Sequence, residues 1–419
     1  LICKTYFKNT KTALIGPTIL YLTPRIFAHS FFNLKDIPYM TAYTAGIYFL
    51  LRYLKDKSRK NTIYFAVATS FAINMRLPGA MLAATAFTVI GLDAVAKRKI
   101  PHQDIKNLPT YLTTTLILVI LLWPYLWEDT LTKLIEITKT SANYNYGYPV
   151  VFLGEYIKPY NLPGYYIPLW ILITTPPLYL AGFAAGVIIS IRKFSRKTER
   201  TAENILPYIW VGIPVTAVLI LKPILYDGWR HMYFIYPPIT LYTAMGLTEI
   251  YAKIKDKKIR TTYVVLIALS IAYTGYWMAY NHPIQNVYFN TLGHTFFDLQ
   301  QSFDLDYWCV SHRKQIENLL EKTNPSKVTV FIPEAFFVLQ ANHFAMEGEK
   351  QDLFELTLDS SKADYLMTTF RFKKEGYNDL GEEIDSIKVD GITINALYDI
   401  KGKNINPLTV KETLYKNIE

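Results

Sequence analysis

Arg25 and His29 stand four residues apart, Lys35 and Asp36 follow in the next turn, and Pro38 comes just after. On a helix, positions i and i+4 share a face, so Arg25 and His29 would point the same way, and Pro38 suits the first turn of a following helix. A second string, Asn74-Met75-Arg76-Leu77-Pro78-Gly79-Ala80, sets a cation at a Pro-Gly break between apolar stretches. A third, Tyr226-Asp227-Gly228-Trp229-Arg230-His231-Met232-Tyr233, crowds an acid, a guanidinium and an imidazole into a short hairpin. Arginine offers a two-pronged fork to phosphate oxygens and histidine adds another donor, so these strings suggest phosphate binding. A charge inside an apolar span is costly and usually faces a functional interior, which sets Arg25 apart from an ordinary loop charge. Plainer roles exist: Asp36 as a helix cap, Arg76 as a charge reaching for the interface, Trp229 and its tyrosines as an interfacial belt. The belt leaves Asp227, Arg230 and His231 together unexplained. For Asn281-His282-Pro283 and Asp304-Leu305-Asp306-Tyr307-Trp308, packing is the simpler role.

Helices in a membrane must position these residues. The chain is 51% hydrophobic with 15% aromatics and carries a net charge of +10. Much of that charge lies in four clusters: Lys55-Asp56-Lys57-Ser58-Arg59-Lys60, Lys97-Arg98-Lys99, Arg192-Lys193-Phe194-Ser195-Arg196-Lys197 running on to Arg200, and Lys253 through Arg260. They flank apolar spans instead of forming one stripe, which argues against nucleic acid and for short cytoplasmic loops. The N-terminal segment with Lys4, Lys8 and Lys11 reads as cytoplasmic too. Spans then run Ala13–His29, Pro38–Tyr53, Thr62–Asn74, Pro78–Ala96, Leu112–Leu126, Tyr166–Ile191, Ile205–Leu225, Tyr233–Ala252 and Thr261–Tyr280, about nine crossings by the spanning-length rule. Thr62 to Ala96 is read as two helices, because one kinked helix would put Lys97-Arg98-Lys99 outside. On this topology the residues that carry chemistry collect at the outer face.

The expected fold class is therefore a polytopic α-helical membrane protein, transmembrane over residues 1–280, with an extracytoplasmic α/β domain over 281–419. In that domain Ser311–Lys322 reads as a helix, and Lys327–Ile332, Tyr365–Phe370 and Gly391–Asp399 read as strands. The loop Trp127–Tyr165 opens with Leu131, Leu134, Ile135 and Thr138 at helical spacing, an interfacial helix. It continues through Asn143-Tyr144-Asn145-Tyr146-Gly147-Tyr148-Pro149 to Gly154-Glu155. Too long for a simple connection, it is expected to cover the active site, with Glu155 within it. Cys3 and Cys309 form neither a disulfide framework nor a metal-ligand spacing, and no Gly-rich phosphate loop or Gly-x-Ser-x-Gly string is present.

Four strings carry a family resemblance: His29-Ser30-Phe31-Phe32-Asn33-Leu34-Lys35-Asp36-Ile37-Pro38, Arg76-Leu77-Pro78-Gly79, Leu162-Pro163-Gly164-Tyr165-Tyr166 with Thr174-Thr175-Pro176-Pro177, and Asp227-Gly228-Trp229-Arg230-His231-Met232-Tyr233. Together they resemble bacterial membrane glycosyltransferases related to protein O-mannosyltransferases and the lipid A aminoarabinose transferase. The resemblance implies a C-type glycosyltransferase fold, a polyprenyl-phosphate sugar donor, and an active site on the extracytoplasmic face of the bacterial inner membrane. The family usually carries a catalytic acid in its first external loop. No counterpart stands here, so the N-terminal part is missing or the base lies elsewhere. Within this picture Arg230 and His231 hold the donor phosphate, with Arg25, Lys35 and Arg76 as further candidates. Asp36 is the catalytic acidic group that orients acceptor or sugar, and Glu155, Asp227, His29 and Tyr233 are substrate-loop candidates. The implied partners are the lipid-linked donor, a protein, lipid or glycan acceptor, and the bilayer, without nucleic acid. No metal-ligand set is demanded, while a divalent cation among Asp36, Glu155 and Asp227 stays open. The rivals are a lipid-linked sugar flippase, which would usually show internal repeats that are not found here, and a non-catalytic membrane scaffold.

Overall fold

The computed structural model describes residues 1–7, 9–142, 144, 146–195, 201–323, 327–334, 349–403 and 405. Lys8, Asn143, Asn145 and the stretch Arg196 to Arg200 of the third basic cluster lie outside the described residues. The apolar stretch expected as one span, Ala13–His29, is instead divided among helices Thr10–Ala13, Ile15–Tyr21 and Pro24–Phe32 (α1). The break has a local cause: Thr23 is extended (φ −94°, ψ 111°), as the residue before a proline prefers, and Pro24 then opens α1.

Beyond α1 come α2 (Asp36–Lys55), α3 (Arg59–Met75), a 3₁₀ turn Leu77–Ala80, and α4 (Met81–Lys97). The two-helix reading of Thr62 to Ala96 matches this break, which Arg76 makes by turning extended (φ −157°, ψ 137°). Gly79 lies so close to the backbone of Ala72 and Ile73 that a Cβ there would overlap it. Next are α5 (His102–Leu121), α6 (Thr130–Ala142), α7 (Tyr166–Thr174), α8 (Pro177–Phe194), α9 (Ala202–Leu221), α10 (Tyr236–Lys253) and α11 (Lys257–Tyr280). Among the described residues, four stretches are long and apolar enough to cross a membrane: Leu77–Lys97, Pro177–Phe194, Ala202–Leu221 and Lys257–Tyr280. That is fewer than the nine or so crossings expected from span length alone. The first stretch is broken into short helices, α3 has 17 residues, and α2 dilutes its apolar residues with tyrosine and threonine.

The residues group into two compact units. Leu1–Asn145, Thr175–Ile224 and Trp229–Trp277 form the first; Tyr146–Thr174, Leu225–Gly228 and Met278–Glu419 form the second. Within the first, α8 and α10 pack tightly because Gly182 and Gly186 face Gly246, and a Cβ at Gly186 or Gly246 would strike opposing backbone. Small residues at a crossing are how helices approach where lipid gives no hydrophobic drive.

The second unit contains a hairpin of β1 (Val150–Phe152) and β2 (Glu155–Ile157). Its turn residues Leu153 and Gly154 both have positive φ (56° and 84°), the conformation that matches the twist of flanking strands. The Gly154 N–H donates to Ser302 O (3.2 Å) and the Val151 N–H to Asp304 Oδ2 (3.2 Å), anchoring the hairpin along residues 302–304. The main sheet runs in the order β4 (Phe354–Thr357), β3 (Val328–Phe331), β5 (Tyr365–Thr368), β7 (Ile392–Asp399), β6 (Glu382–Val389). β3 is parallel to β4 and β5, while β7 is antiparallel to β5 and β6. Helix α12 (Ser311–Thr323) buries Ile316, Leu319 and Leu320 in one core with Val328, Val330, Met367 and Leu397. Phe331, Leu366, Ala396 and Tyr398 join Phe370 and Tyr377 in the other.

Candidate functional site

In the first unit, ends of helices and turns bring together most of the cations that the sequence singles out. α1 carries Arg25 and His29, both with no exposed surface. Asp36 is the first residue of α2 and 1% exposed; Arg76 follows the end of α3; Arg230, His231 and Tyr233 sit on a 3₁₀ turn, Arg230–Ile235. The Asp36 carboxylate is bridged by two guanidiniums: Arg76 Nη1 donates to Oδ1, and Arg230 Nη1 donates to Oδ2 at 2.8 Å. Its place in the first turn of α2 adds the favourable field of the helix N-terminus to a negative charge. Two guanidiniums thus clamp one carboxylate, a group with net positive charge.

Asn33 fixes that carboxylate. Its Oδ1 accepts the backbone N–H of Asp36 (2.9 Å) and of Lys35 (3.2 Å), and its Nδ2 donates to Asp36 Oδ2 (2.8 Å). With Oδ1 committed to two N–H donors the amide orientation is settled, so Nδ2 also donates to His29 Nδ1 (2.9 Å). Nδ1 is then an acceptor, and the neutral imidazole carries its proton on Nε2. The His29 ring meets Tyr233 edge-on, centroids 5.0 Å apart and planes at 90°. Arg25 and Arg230 both act electrostatically on His29, and Arg230 and Arg76 on His231. Burial, then Arg230 and Arg76, push the His231 imidazole well below its ordinary value, so this residue is neutral at neutral pH. Lys35 is exposed in the turn, and only its backbone takes part in the Asn33 network.

The remaining sequence candidates belong to the second unit. Glu155 is exposed beside the hairpin turn, opposite Phe152. Asp227 is 7% exposed and adopts a positive φ of 58°, a conformation that aspartate tolerates in turns. Its Oδ1 accepts from Arg371 Nη2 (2.8 Å), which also donates to the Tyr146 hydroxyl (2.5 Å). Asp304 and Lys374 act electrostatically on this pair. Burial raises the Asp304 carboxyl above its usual range; burial also pushes the Lys374 ammonium down to about 8, against the opposing pull of Asp304. Among the described residues, no group of three or more His, Cys, Asp or Glu side chains is arranged to hold a metal ion.

With this geometry in hand, the comparison with known families is specific. Residues 1–127 match the family described as dolichyl-phosphate-mannose-protein mannosyltransferase. Over that stretch the chain resembles membrane mannosyltransferases. No curated protein matches the chain. The mannosyltransferase-like stretch contains Arg25, His29, Lys35, Asp36 and Arg76, whereas Glu155, Asp227, Arg230, His231 and Tyr233 all follow it. The apolar helices and the membrane-embedded family together make the chain an integral membrane protein.

Three residues of these networks carry no role in the sequence reading. Asn33 had a usable signal: an Asn three residues before Asp at the start of an apolar run is the spacing of an N-terminal cap. Tyr146 and Arg371 lie 225 positions apart and share no local pattern, so only the fold brings them together.

Proposed function

We propose that this glycosyltransferase moves a sugar, a mannosyl group by the family description, from a polyprenyl-phosphate carrier to an acceptor on the extracytoplasmic side of the membrane. The observation that carries the reading is the clamp of Arg76 and Arg230 on the buried Asp36, with Arg25 acting on the neighbouring His29, an excess of cations suited to a leaving phosphate. In the reaction an acceptor hydroxyl attacks the anomeric carbon and loses its proton to a base. The new glycosidic bond forms as the bond from the anomeric carbon to the phosphate oxygen breaks, and the polyprenyl phosphate departs with the electron pair. Arg230 and Arg76 stabilise the charge that builds on that oxygen, and neutral His231 supplies a hydrogen bond without a further buried charge. Asp36 acts here as a positioning residue that holds both guanidiniums. Among the sequence candidates, Glu155 and Asp227 are left to acceptor-side roles.

The ends of the helices support this side of the membrane. Asp36 begins α2, whereas Arg52 and Lys55 lie in its last turn; Arg76 follows α3, whereas Arg59 and Lys60 begin it. Twenty helical residues span about 30 Å, so the clamp and the basic loop sit at opposite ends. Basic loops stay in the cytoplasm, which supports an extracytoplasmic clamp.

The test is release of undecaprenyl phosphate from undecaprenyl-phosphate mannose by the full chain in lipid nanodiscs. Arg230→Ala should lower turnover by about a hundredfold or more, the usual loss when a donor to developing negative charge is removed. Turnover by Arg230→Ala at the wild-type rate would remove the phosphate assignment.

A further inference from the structure

The basic loop that joins α2 to α3 lies at the end of those helices opposite the Asp36 clamp, and it helps to line a polar cavity of about 610 Å³. Lys57 and Arg59 come from this segment, and Gln103, Lys106, Asn107 and Thr110 from α5. The α5 residues are spaced i, i+3, i+4 and i+7, which places them on one helix face. Hydrogen bonds tie the two walls together. Asn107 Nδ2 donates to Lys57 O (2.8 Å), and Lys57 Nζ donates to Asp104 Oδ2 (2.5 Å). The other Asp104 oxygen accepts from the Tyr53 hydroxyl (2.6 Å). Asp56, also in the lining, is held by Asn61 Nδ2 through its carbonyl (2.8 Å) and its Oδ2 (3.0 Å).

Lys57 and Asp104 thus balance each other, whereas Arg59 and Lys106 are exposed and enter no ion pair among the described residues. The cavity keeps a surplus of positive charge even with Asp56 and Asp104 both counted. Arg59 also opens α3, a helix of 17 residues, and the field of that helix end favours an anion too.

Along α5 the surface then changes character. The cavity face is polar up to Thr110, whereas Leu112, Leu116 and Ile117 beyond it are exposed and apolar. Cations and amide donors next to exposed hydrocarbon suit the depth of phospholipid headgroups, and basic pockets between helices on the cytoplasmic side recognise anionic ones. The basic loops assign this end to the cytoplasm. We propose that the cavity binds the phosphate of an anionic phospholipid, with Arg59 and Lys106 bonding its oxygens and the acyl chains lying along the exposed apolar surface of α5. Soluble phosphate offers the same oxygens without the chains, so experiment can separate the two sources. The site lies at the other end of α2 from the clamp and does not depend on the donor-phosphate reading.

Native mass spectrometry of the full chain in detergent tests this, with cardiolipin and inorganic phosphate as probes and zwitterionic phosphatidylcholine as the reference. Arg59→Gln combined with Lys106→Gln removes the two exposed cations. Lys257→Gln combined with Lys258→Gln removes the same charge from the exposed start of α11. Expected is cardiolipin binding about thirtyfold weaker in the cavity variant, about five- to sixfold for each charge, and close to wild type in the α11 variant. Unchanged phosphatidylcholine uptake and equal thermal unfolding midpoints show that both variants are folded. Equal weakening in the two variants, or none in the cavity variant, overturns the site. A wild type without preference for cardiolipin over phosphatidylcholine overturns the lipid assignment; if inorganic phosphate then binds the wild type and not the cavity variant, the occupant is soluble phosphate.

Discussion

The coupling between Asp36 and Arg230 can be measured by a double-mutant cycle. Asp36 is 1% exposed and the Arg230 side chain 10% exposed, with 2.8 Å between nitrogen and oxygen, so this is a buried, well-formed pair. Removing one partner of such a pair costs about 3–5 kcal/mol, because the other charge is left buried without compensation. Arg230→Gln should therefore destabilise by about 3 kcal/mol, at the low end because Asp36 keeps Arg76. Asp36→Asn loses more. It strands Arg230, and it weakens the hold on Arg76, whose side chain is 25% exposed and whose share solvent screening limits to about 1 kcal/mol. The Asn33 donor also loses a charged acceptor, about 1 kcal/mol more. The single changes thus sum to about 7–8 kcal/mol if independent, yet the double variant places Asn opposite Gln with no stranded Asp36–Arg230 partner. It should lose only about 4–5 kcal/mol, a coupling of about 3 kcal/mol. Reversible unfolding of the detergent-solubilised chain by SDS, on the wild type, both singles and the double, reads this directly. Additivity within about 0.5 kcal/mol would refute the claim that these two groups hold each other.

Two further outcomes follow from packing and from burial. Gly79→Ala should destabilise the chain by about 3 kcal/mol, since its Cβ would overlap the backbone of Ala72 and Ile73, whereas Gly91→Ala, with nothing within 4 Å, should be neutral or gain about 0.5–1 kcal/mol of helix propensity; equal SDS midpoints for the two would count against the tight turn after α3. Lys374, pushed down to about 8 by burial, binds fewer protons in the folded than in the unfolded protein between about pH 8 and its ordinary value of 10.5. Stability therefore rises with pH across that window, and Lys374→Met should flatten the rise; parallel stability–pH curves for variant and wild type would show that the ammonium is not held in the environment described.

The long, regular elements were legible because they repeat. Helices α4, α9 and α11 show as apolar runs of spanning length between basic clusters, and strands β3, β5 and β7 show as short β-branched or aromatic runs. Strand β4 was not legible, since Phe354-Glu355-Leu356-Thr357 is too short and mixed to stand out, and its parallel partner β3 defines it. Strand β6 was missed for the opposite reason: Glu382-Glu383-Ile384-Asp385 reads as a charged surface run, and its pairing with β7 carries register irregularities between Glu383 and Asp385 and again between Ile387 and Lys388. For the site, residue types were readable but not their grouping. Asp227, Arg230 and His231 look like one cluster in sequence. In the structure Arg230 pairs with Asp36 in the first unit, while Asp227 pairs with Arg371 in the second. Local spacing carries the type of a charge; its partner 194 or 144 positions away is fixed only by the fold.

The carboxylate in the clamp answers a problem that any buried anion site faces. Guanidiniums gathered for a phosphate repel one another, and the cost of keeping them desolvated falls on the empty protein. Asp36 offsets that cost while the site is empty. It lies at a helix N-terminus that favours its charge, and Asn33 holds it through both an amide nitrogen and an amide oxygen. A guanidinium has five donors in a planar fork, more than a single Nη contact uses. On the proposed function, preorganisation of this kind would place the positive field where charge develops on the leaving oxygen, with little reorganisation at the moment of reaction. The same logic explains why Asp36 works better as the anchor of the arginines than as a roving base: a carboxylate held by Arg76, Arg230 and Asn33 is fixed in position, and its fixity is what gives the clamp its geometry.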